Sequence, residues 1–415
     1  MKDSKSKQYM PVAWMFFFIF LGIIGAFVAQ PLVISLGVMG FITCIISVIW
    51  NLLSLEEMSY ERKFFQRNAF KGEDIPMTVT LSNKKPIPLT RLNLSDELPD
   101  ELQVLKGEGK LTGKQKIQIL NHATSMRWYE RLRWEYTLRC TRRGIQKIGP
   151  AKLESGDPFG FLNSTRSESH VDSLMVYPAV ASLGDLGIPS ARPLGETRGG
   201  LQIYEDPSRF FNLRDYRRGD PLKTIDWKAT ARLQRLITRT YEPSTSITVI
   251  LVVAVDTKDP YWDNYDTDEL ERVITAAASI AMYAAQEEYT IGVFANDGPI
   301  QPNRPLLVQP ARGPDQIHNV LSALALLRMF AFGPMSQRLA ENANKLPVGS
   351  TIVVCSAFIS PEFVIILTDL KNKGHKVVVV YVGPGSCPTL PDGVLVYPVR
   401  ENLIEKEIIS EPVSA

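Results

Sequence analysis

The chain has 415 residues, of which 45% are hydrophobic and 22% charged, and its net charge is +2. That length allows two or three domains, and the near-neutral charge excludes the strong basic field that marks a nucleic-acid binder. Four cysteines (Cys44, Cys140, Cys355, Cys387) with no C-x-x-C pair exclude a disulfide scaffold and fit a reducing compartment.

No residue from Gln8 to Leu55 is charged. The stretch is too long for one membrane span. It divides at Gln30-Pro31 into Pro11–Gln30 and Pro31–Trp50. Each run is close to the roughly 20 residues that a helix needs to cross a hydrocarbon core. A proline opening the second run costs little, because a first-turn N–H has no helical partner. Lys2, Lys5 and Lys7 precede the pair, Arg62, Lys63, Arg67 and Lys71 follow it, and the turn between carries neither Lys nor Arg. Basic flanks stay in the cytoplasm. The expectation is a cytoplasmic N-terminus over 1–10, a two-helix transmembrane hairpin over 11–54, and all soluble parts cytoplasmic at the cell membrane. The rival, a signal peptide plus one anchor, would export the rest; Ala26–Gln30 makes a poor cleavage site for it.

Residues 55–185 read as strands. Pro76–Asn83 alternates polar and apolar residues and ends in the turn cluster Asn83-Lys84-Lys85-Pro86. Short strands punctuated by Gly144, Gly149-Pro150 and Gly156-Asp157-Pro158 predict an antiparallel β-sandwich, immunoglobulin-like in outline. Gly107–Gln115 imitates a phosphate loop, but Glu108 and Gln115 stand where glycine and a hydroxyl belong, so it reads as a hairpin turn.

Residues 186–245 are expected to be a linker and a charged segment. From Ser208 to Pro243 nine basic residues surround Asp215, Gly219, Asp220, Asp226 and Trp227. Charges at that density cannot form a core strand unless they are paired. Two readings follow. In the first the segment is a clasp: Asp226 caps a short helix, Trp227 packs between the domains, and arginines pair with Asp215 and Asp220. In the second it is a docking surface: a helix over Asp226–Arg235 sets Lys228, Arg232 and Arg235 on one face, facing an acidic partner or lipid headgroups.

From 246 to 400 the period changes. Ile247–Asp256 and Thr351–Ala357 are continuous apolar runs, as strands buried on both faces must be. They alternate with helices starting near Asp266, Pro314, Met335 and Pro361, which predicts a doubly wound α/β sheet. Residues 401–415 are a tail.

The pattern Y-x-x-G-D-x-x-x-x-I-D-W-K-x-x-A-R is present as Tyr216, Gly219, Asp220, Ile225, Asp226, Trp227, Lys228, Ala231 and Arg232. It resembles the signature of the bacterial membrane proteins called domain-of-unknown-function family fifty-eight; Arg217 lies inside it. Thr137–Pro150 and Ser155–Phe161 resemble the stretch that precedes that signature. The resemblance implies a von Willebrand factor A-like domain at the C-terminus and a MoxR-type AAA+ ATPase as partner. A-like domains usually bind a divalent cation through D-x-S-x-S. Here Asp256 is kept, but Lys258 and Pro260 replace both hydroxyls, and Ser356-Ala357 stands where a distal aspartate is expected. The metal site therefore reads as degenerate. The scattered histidines (His122, His170, His318, His375) offer no metal-ligand spacing either. The expected protein is a non-catalytic, cofactor-free membrane scaffold or adaptor in envelope or complex maturation, with no nucleic-acid partner and with its oligomeric state open. The alternatives are an enzyme, such as a hydrolase, built on Asp256, Asp220 and Asp226, and a cation-dependent ligand binder.

Overall fold

The computed structural model describes residues 3–107, 110–114, 117–189, 194, 204–217, 225–244, 247–262, 266–297, 305–385 and 387–399. The chain divides into two compact units, Met1–Tyr177 and Pro178–Ala415.

The first unit opens with helix α1 (Asp3–Phe27) and helix α2 (Pro31–Ser54). They reverse at Ala29, whose φ is 53°. They pack closely where side chains are absent: a Cβ added to Gly37 would sit 2.6 Å from the backbone nitrogen of Gly22. Small residues permit such approach between apolar helices. Among the described residues, α2 is the helix long and apolar enough to cross a membrane; in α1 the apolar run Ala13–Phe27 is shorter. The expectation of two full-length spans is thus met by one.

Twelve strands follow: β1 (Met58–Phe64), β2 (Asn68–Phe70), β3 (Asp74–Asn83), β4 (Leu89–Pro99), β5 (Leu102–Lys106), β6 (Lys110–Lys114), β7 (Ile117–Met126), β8 (Arg131–Cys140), β9 (Gly144–Ile148), β10 (Ala151–Gly156), β11 (Asn163–Glu168) and β12 (Asp172–Tyr177). They form antiparallel sheets β1-β3-β8-β5 and β11-β10-β4-β7-β6, and a small sheet β2-β12-β9. The alternation read in the sequence is what builds the core. Ile75, Met77, Val79 and Leu81 of β3 point inward and meet Leu92, Leu94 and Leu98 of β4 in a single cluster. Successive side chains of a strand face opposite ways, so one face of each sheet supplies the core. The Gly107–Gln115 stretch is more than a hairpin turn. It leaves β5 in one sheet and supplies β6 to the other.

A buried charged cluster in this unit centres on Arg62. Arg62 on β1 donates to both carboxylate oxygens of Asp96 at 2.5 and 3.2 Å, to Asp172 at 2.7 Å, and to the carbonyl of Ile148 at 2.9 Å. The hydroxyl of Tyr60 also donates to Asp96, at 2.6 Å. Arg62 is therefore a buried strut rather than the free juxtamembrane charge that the flanking pattern implied. Basic groups do reach the end of α2, from the β3–β4 turn and from β11. Lys85 donates to the carbonyls of Ser54 and, at 2.7 Å, Glu56. Arg166 donates to Leu55 and Met58, each at 3.2 Å, and Ser164 to Asn51 at 3.2 Å. The last carbonyls of a helix lack intrahelical donors, and cations there complement the helix dipole.

The second unit holds a two-stranded antiparallel ribbon, β13 (Tyr204–Asp215) with β14 (Ile237–Ser244), and between them the short helix α3 (Trp227–Leu233). A linker followed by a charged segment with a short helix was expected over 186–245; the structure adds a strand on each side of that helix. Next come β15 (Thr248–Val253), α4 (Thr267–Gln286), β16 (Thr290–Ala295), β17 (Leu306–Ala311), α5 (Pro314–Ala325), α6 (Met335–Asn342), β18 (Thr351–Ser356), α7 (Pro361–Asn372), β19 (Lys376–Tyr381) and β20 (Leu395–Pro398). The sheet order is β17-β16-β15-β18-β19-β20, parallel except for β17 at the edge. The apolar runs are its central strands: β15 and β18 are buried almost throughout. The chain is multidomain, mainly β at the N-terminal side and α/β at the C-terminal side.

Candidate functional site

Two places in the second unit gather the sequence-predicted residues: the C-terminal edge of the sheet around Asp256, and the α3 turn of the ribbon.

In open α/β sheets the crevice lies outside the carboxyl ends of the strands, where the order reverses. Here β15 runs between β16 and β18, and Asp256 lies just past its end. Asp256 is 7% exposed. One carboxylate oxygen accepts from the side-chain amide of Asn296 at 2.7 Å, and the other from the backbone N–H of Met335 at 3.2 Å. Burial raises the pKa of this carboxyl, and these two donors oppose the rise. Asn296 is itself held at both ends of its amide. It also donates to the carbonyl of Gly333 at 3.0 Å and accepts from the N–H of Val255 at 2.8 Å. Beside it, Asp297 is fully buried and accepts from the N–H of Arg328 at 2.6 Å and from its guanidinium at 3.4 Å. The chain's own donors thus fill the corner.

Lys258, Thr257 and Ser356, read in the sequence as parts of a degenerate metal site, make other contacts. The Lys258 ammonium lies 3.8 Å from Asp266, the N-cap of α4. That places its charge at the helix cap, although the sequence put it in the cation position. Asp266 accepts from the N–H groups of Asp268 and Glu269, and these bonds, led by that from Glu269, hold its carboxyl below the usual range. Thr257 accepts from the N–H of Asp266 at 3.1 Å. Ser356 closes a local turn with Phe358. Among the described residues no three His, Cys, Asp or Glu side chains converge as a metal site would require. Sequence reasoning missed Asn296, Asp297 and Met335. The polar pair ending the buried run Ile291–Ala295 was the available signal for the first two. Met335 acts through its backbone and leaves no signal.

In the ribbon, Asp226 caps α3: one oxygen accepts from the N–H groups of Lys228 and Ala229, both at 3.0 Å. The helix stops at Leu233, two residues short of the expected Arg235, because Gln234 turns left-handed with a φ of 50°. Ile225, Ile237 and Thr238 are buried beneath it. Trp227 is not: it is 68% exposed. The expectation of a buried anchor fails, because it stands on the outer side of a short helix of seven residues whose less exposed side is Ala229 and Thr230. Lys228, Ala231, Arg232 and Arg235 are exposed with it, as are Leu233 and Leu236. Arg235 lies 3.3 Å from Asp215, one of the pairs expected of a clasp. Arg217 is exposed, and Gly219 and Asp220 lie outside the described residues.

Comparison with known proteins adds the following. The chain is 23% identical over 348 residues to an uncharacterized protein, YeaD, of Bacillus subtilis, covering 80% of this chain and 73% of that one. A non-cellulosomal cohesin from Archaeoglobus fulgidus is 15% identical over 29% of this chain and 90% of its own, with a TM-score of 0.21. A CARDB domain from Pyrococcus furiosus is 10% identical over 29% of this chain and 92% of its own, also at 0.21. The family described as protein of unknown function DUF58 matches residues 212–396, a stretch that runs from β13 to β20 and holds both the α3 turn and the Asp256 corner.

Proposed function

We propose that the protein is a membrane-anchored scaffold or adaptor with no catalysis of its own, its immunoglobulin-like sandwich and von Willebrand factor A-like domain both in the cytoplasm. In this reading α1 and α2 cross the bilayer as a hairpin, and the partner is a MoxR-type AAA+ ATPase. The observation that carries it is the Asp256 corner. In an A-like domain that aspartate serves a cation; here Asn296 and the Met335 N–H take both of its oxygens. Each oxygen is held by a donor of the chain itself, and burial disfavours the charged form that a metal or a substrate would need. The partner rests on the family resemblance, and the anchor on the apolar length of α2.

Affinity capture of the full chain from its own membranes in mild detergent tests the partner. The expected companion is an ATPase of that class. Recovery of the chain alone overturns the partnership. A reporter active only outside the membrane, fused to the C-terminus, tests the topology and is expected to stay silent.

A further inference from the structure

The turn between β10 and β11 has a construction that the scaffold reading leaves unused. Its sequence, Ser155–Phe161, is one of the family-like pieces. Asp157, buried, accepts from the N–H of Phe159 at 3.0 Å and of Leu162 at 2.6 Å. Gly160 takes a φ of 78°, which a side chain rarely adopts. The turn so fixed tucks Leu162 inward and leaves Phe159 and Phe161 outside, 50% and 46% exposed, their rings stacked at 6.1 Å. Fixing a backbone in order to expose two phenyl rings makes sense only if something apolar receives them.

The bonds around α2 show where that turn lies. Ser164, the second residue of β11, donates to the carbonyl of Asn51 in the last turn of α2, and Arg166 to that of Leu55. A second aromatic tip lies at the same end of the sandwich. The N–H of Tyr129, in the turn between β7 and β8, donates to the carbonyl of Lys85, and Lys85 holds the end of α2. Trp128 and Tyr129 are 63% and 66% exposed. Four exposed aromatic residues thus flank the exit of α2, the qualifying span among the described residues, together with exposed Arg127 on the β7–β8 turn and Lys84 on the β3–β4 turn beside Lys85. Tryptophan and tyrosine favour the headgroup layer, and basic residues favour anionic headgroups.

We infer that this end of the β-sandwich is a membrane-seating surface: Trp128, Tyr129, Phe159 and Phe161 enter the interface of the phospholipid bilayer that α2 crosses. The inference rests on the anchoring reading. Its occupant is lipid, rather than a second protein.

The test uses the full chain in vesicles of phosphatidylcholine and phosphatidylglycerol. The variant Cys387→Ser removes the one cysteine that is not fully buried. Cys140 and Cys355 are buried thiols pushed up to about 12, and stay protonated during labelling. A polarity-sensitive fluorophore is attached at Phe161→Cys, or, as a control, at Phe65→Cys. Phe65 is 85% exposed and follows the far end of β1, roughly 20 Å away at ~3.3 Å per residue. Flotation with the vesicles reports anchoring. Lipids carrying a shallow nitroxide report contact.

The expected result is flotation, with several-fold stronger nitroxide quenching at position 161 than at 65. A chain that does not float overturns the anchoring reading and this inference with it. A chain that floats, with position 161 quenched no more than 65, overturns the inference alone. So does a label at 161 shielded from both nitroxide lipid and aqueous iodide, since a protein then covers the turn.

Discussion

The side-chain amide of Asn296 donates to Asp256 across 2.7 Å, and by doing so makes a fixed hydrogen-bond acceptor of a residue placed where ligands bind. Burial raises the carboxyl's pKa, so the folded chain binds this proton more tightly than the unfolded chain, whose value is near 3.8. The contribution of Asp256 to stability is therefore full below that value and is lost as pH rises through the folded value. Comparing the melting of wild type and Asp256→Asn across acidic to neutral pH isolates it. The expected result is that wild type loses ground against the variant as pH rises. A constant difference would contradict the burial argument.

Lys85 titrates in the opposite sense. Burial pulls its ammonium down to about 8, against the attraction of Glu56 and Glu57. A group depressed on folding contributes stability above its unfolded value of 10.5, and that contribution is lost as pH falls towards 8. Lys85→Met keeps the stem and removes the titration. Melting profiles are expected to show wild type gaining on Lys85→Met between pH 8 and 10.5.

Arg62 and Arg139 make a matched pair of experiments. Both bind an aspartate through two bonds, but Arg62 is buried and Arg139 exposed. Arg62→Ala leaves Asp96 charged inside the sandwich and is expected to cost about 3–5 kcal/mol. Arg139→Ala is expected to leave the unfolding midpoint nearly unchanged, as an exposed, solvent-screened pair should. Denaturant unfolding measures both, and similar costs would refute the burial assignment.

Trp227→Ala is expected to leave stability within about 0.5 kcal/mol of wild type, as surface substitutions usually do. The double variant Lys228→Ala/Arg232→Ala should fold as well. If the α3 turn docks the proposed ATPase partner, both weaken its capture without lowering the melting temperature. Unchanged capture by both excludes docking at α3.

These differences mark what the sequence could reveal. The α/β unit was legible because strands buried on both faces need continuous apolar runs, and Ile247–Asp256 and Thr351–Ala357 supply them. The sandwich was legible from its period of two. Burial of charge was not. Arg62 reads as a basic flank until Asp96 and Asp172, 34 and 110 residues on, are folded against it. Trp227 reads as a core anchor because tryptophan is costly to expose, yet a helix of seven residues has little inner side to hide it. The donors to Asp256 come from 40 and 79 residues downstream, one of them a backbone N–H that no residue type encodes.

The bonds from Lys85, Ser164 and Arg166 to the end of α2 turn helix and sandwich into a single lever. A helix in a bilayer tilts to match its apolar length to the local thickness. These bonds carry a change in that tilt into the β unit. In the proposed anchoring, the composition of the membrane would set the angle at which this protein holds its first soluble unit.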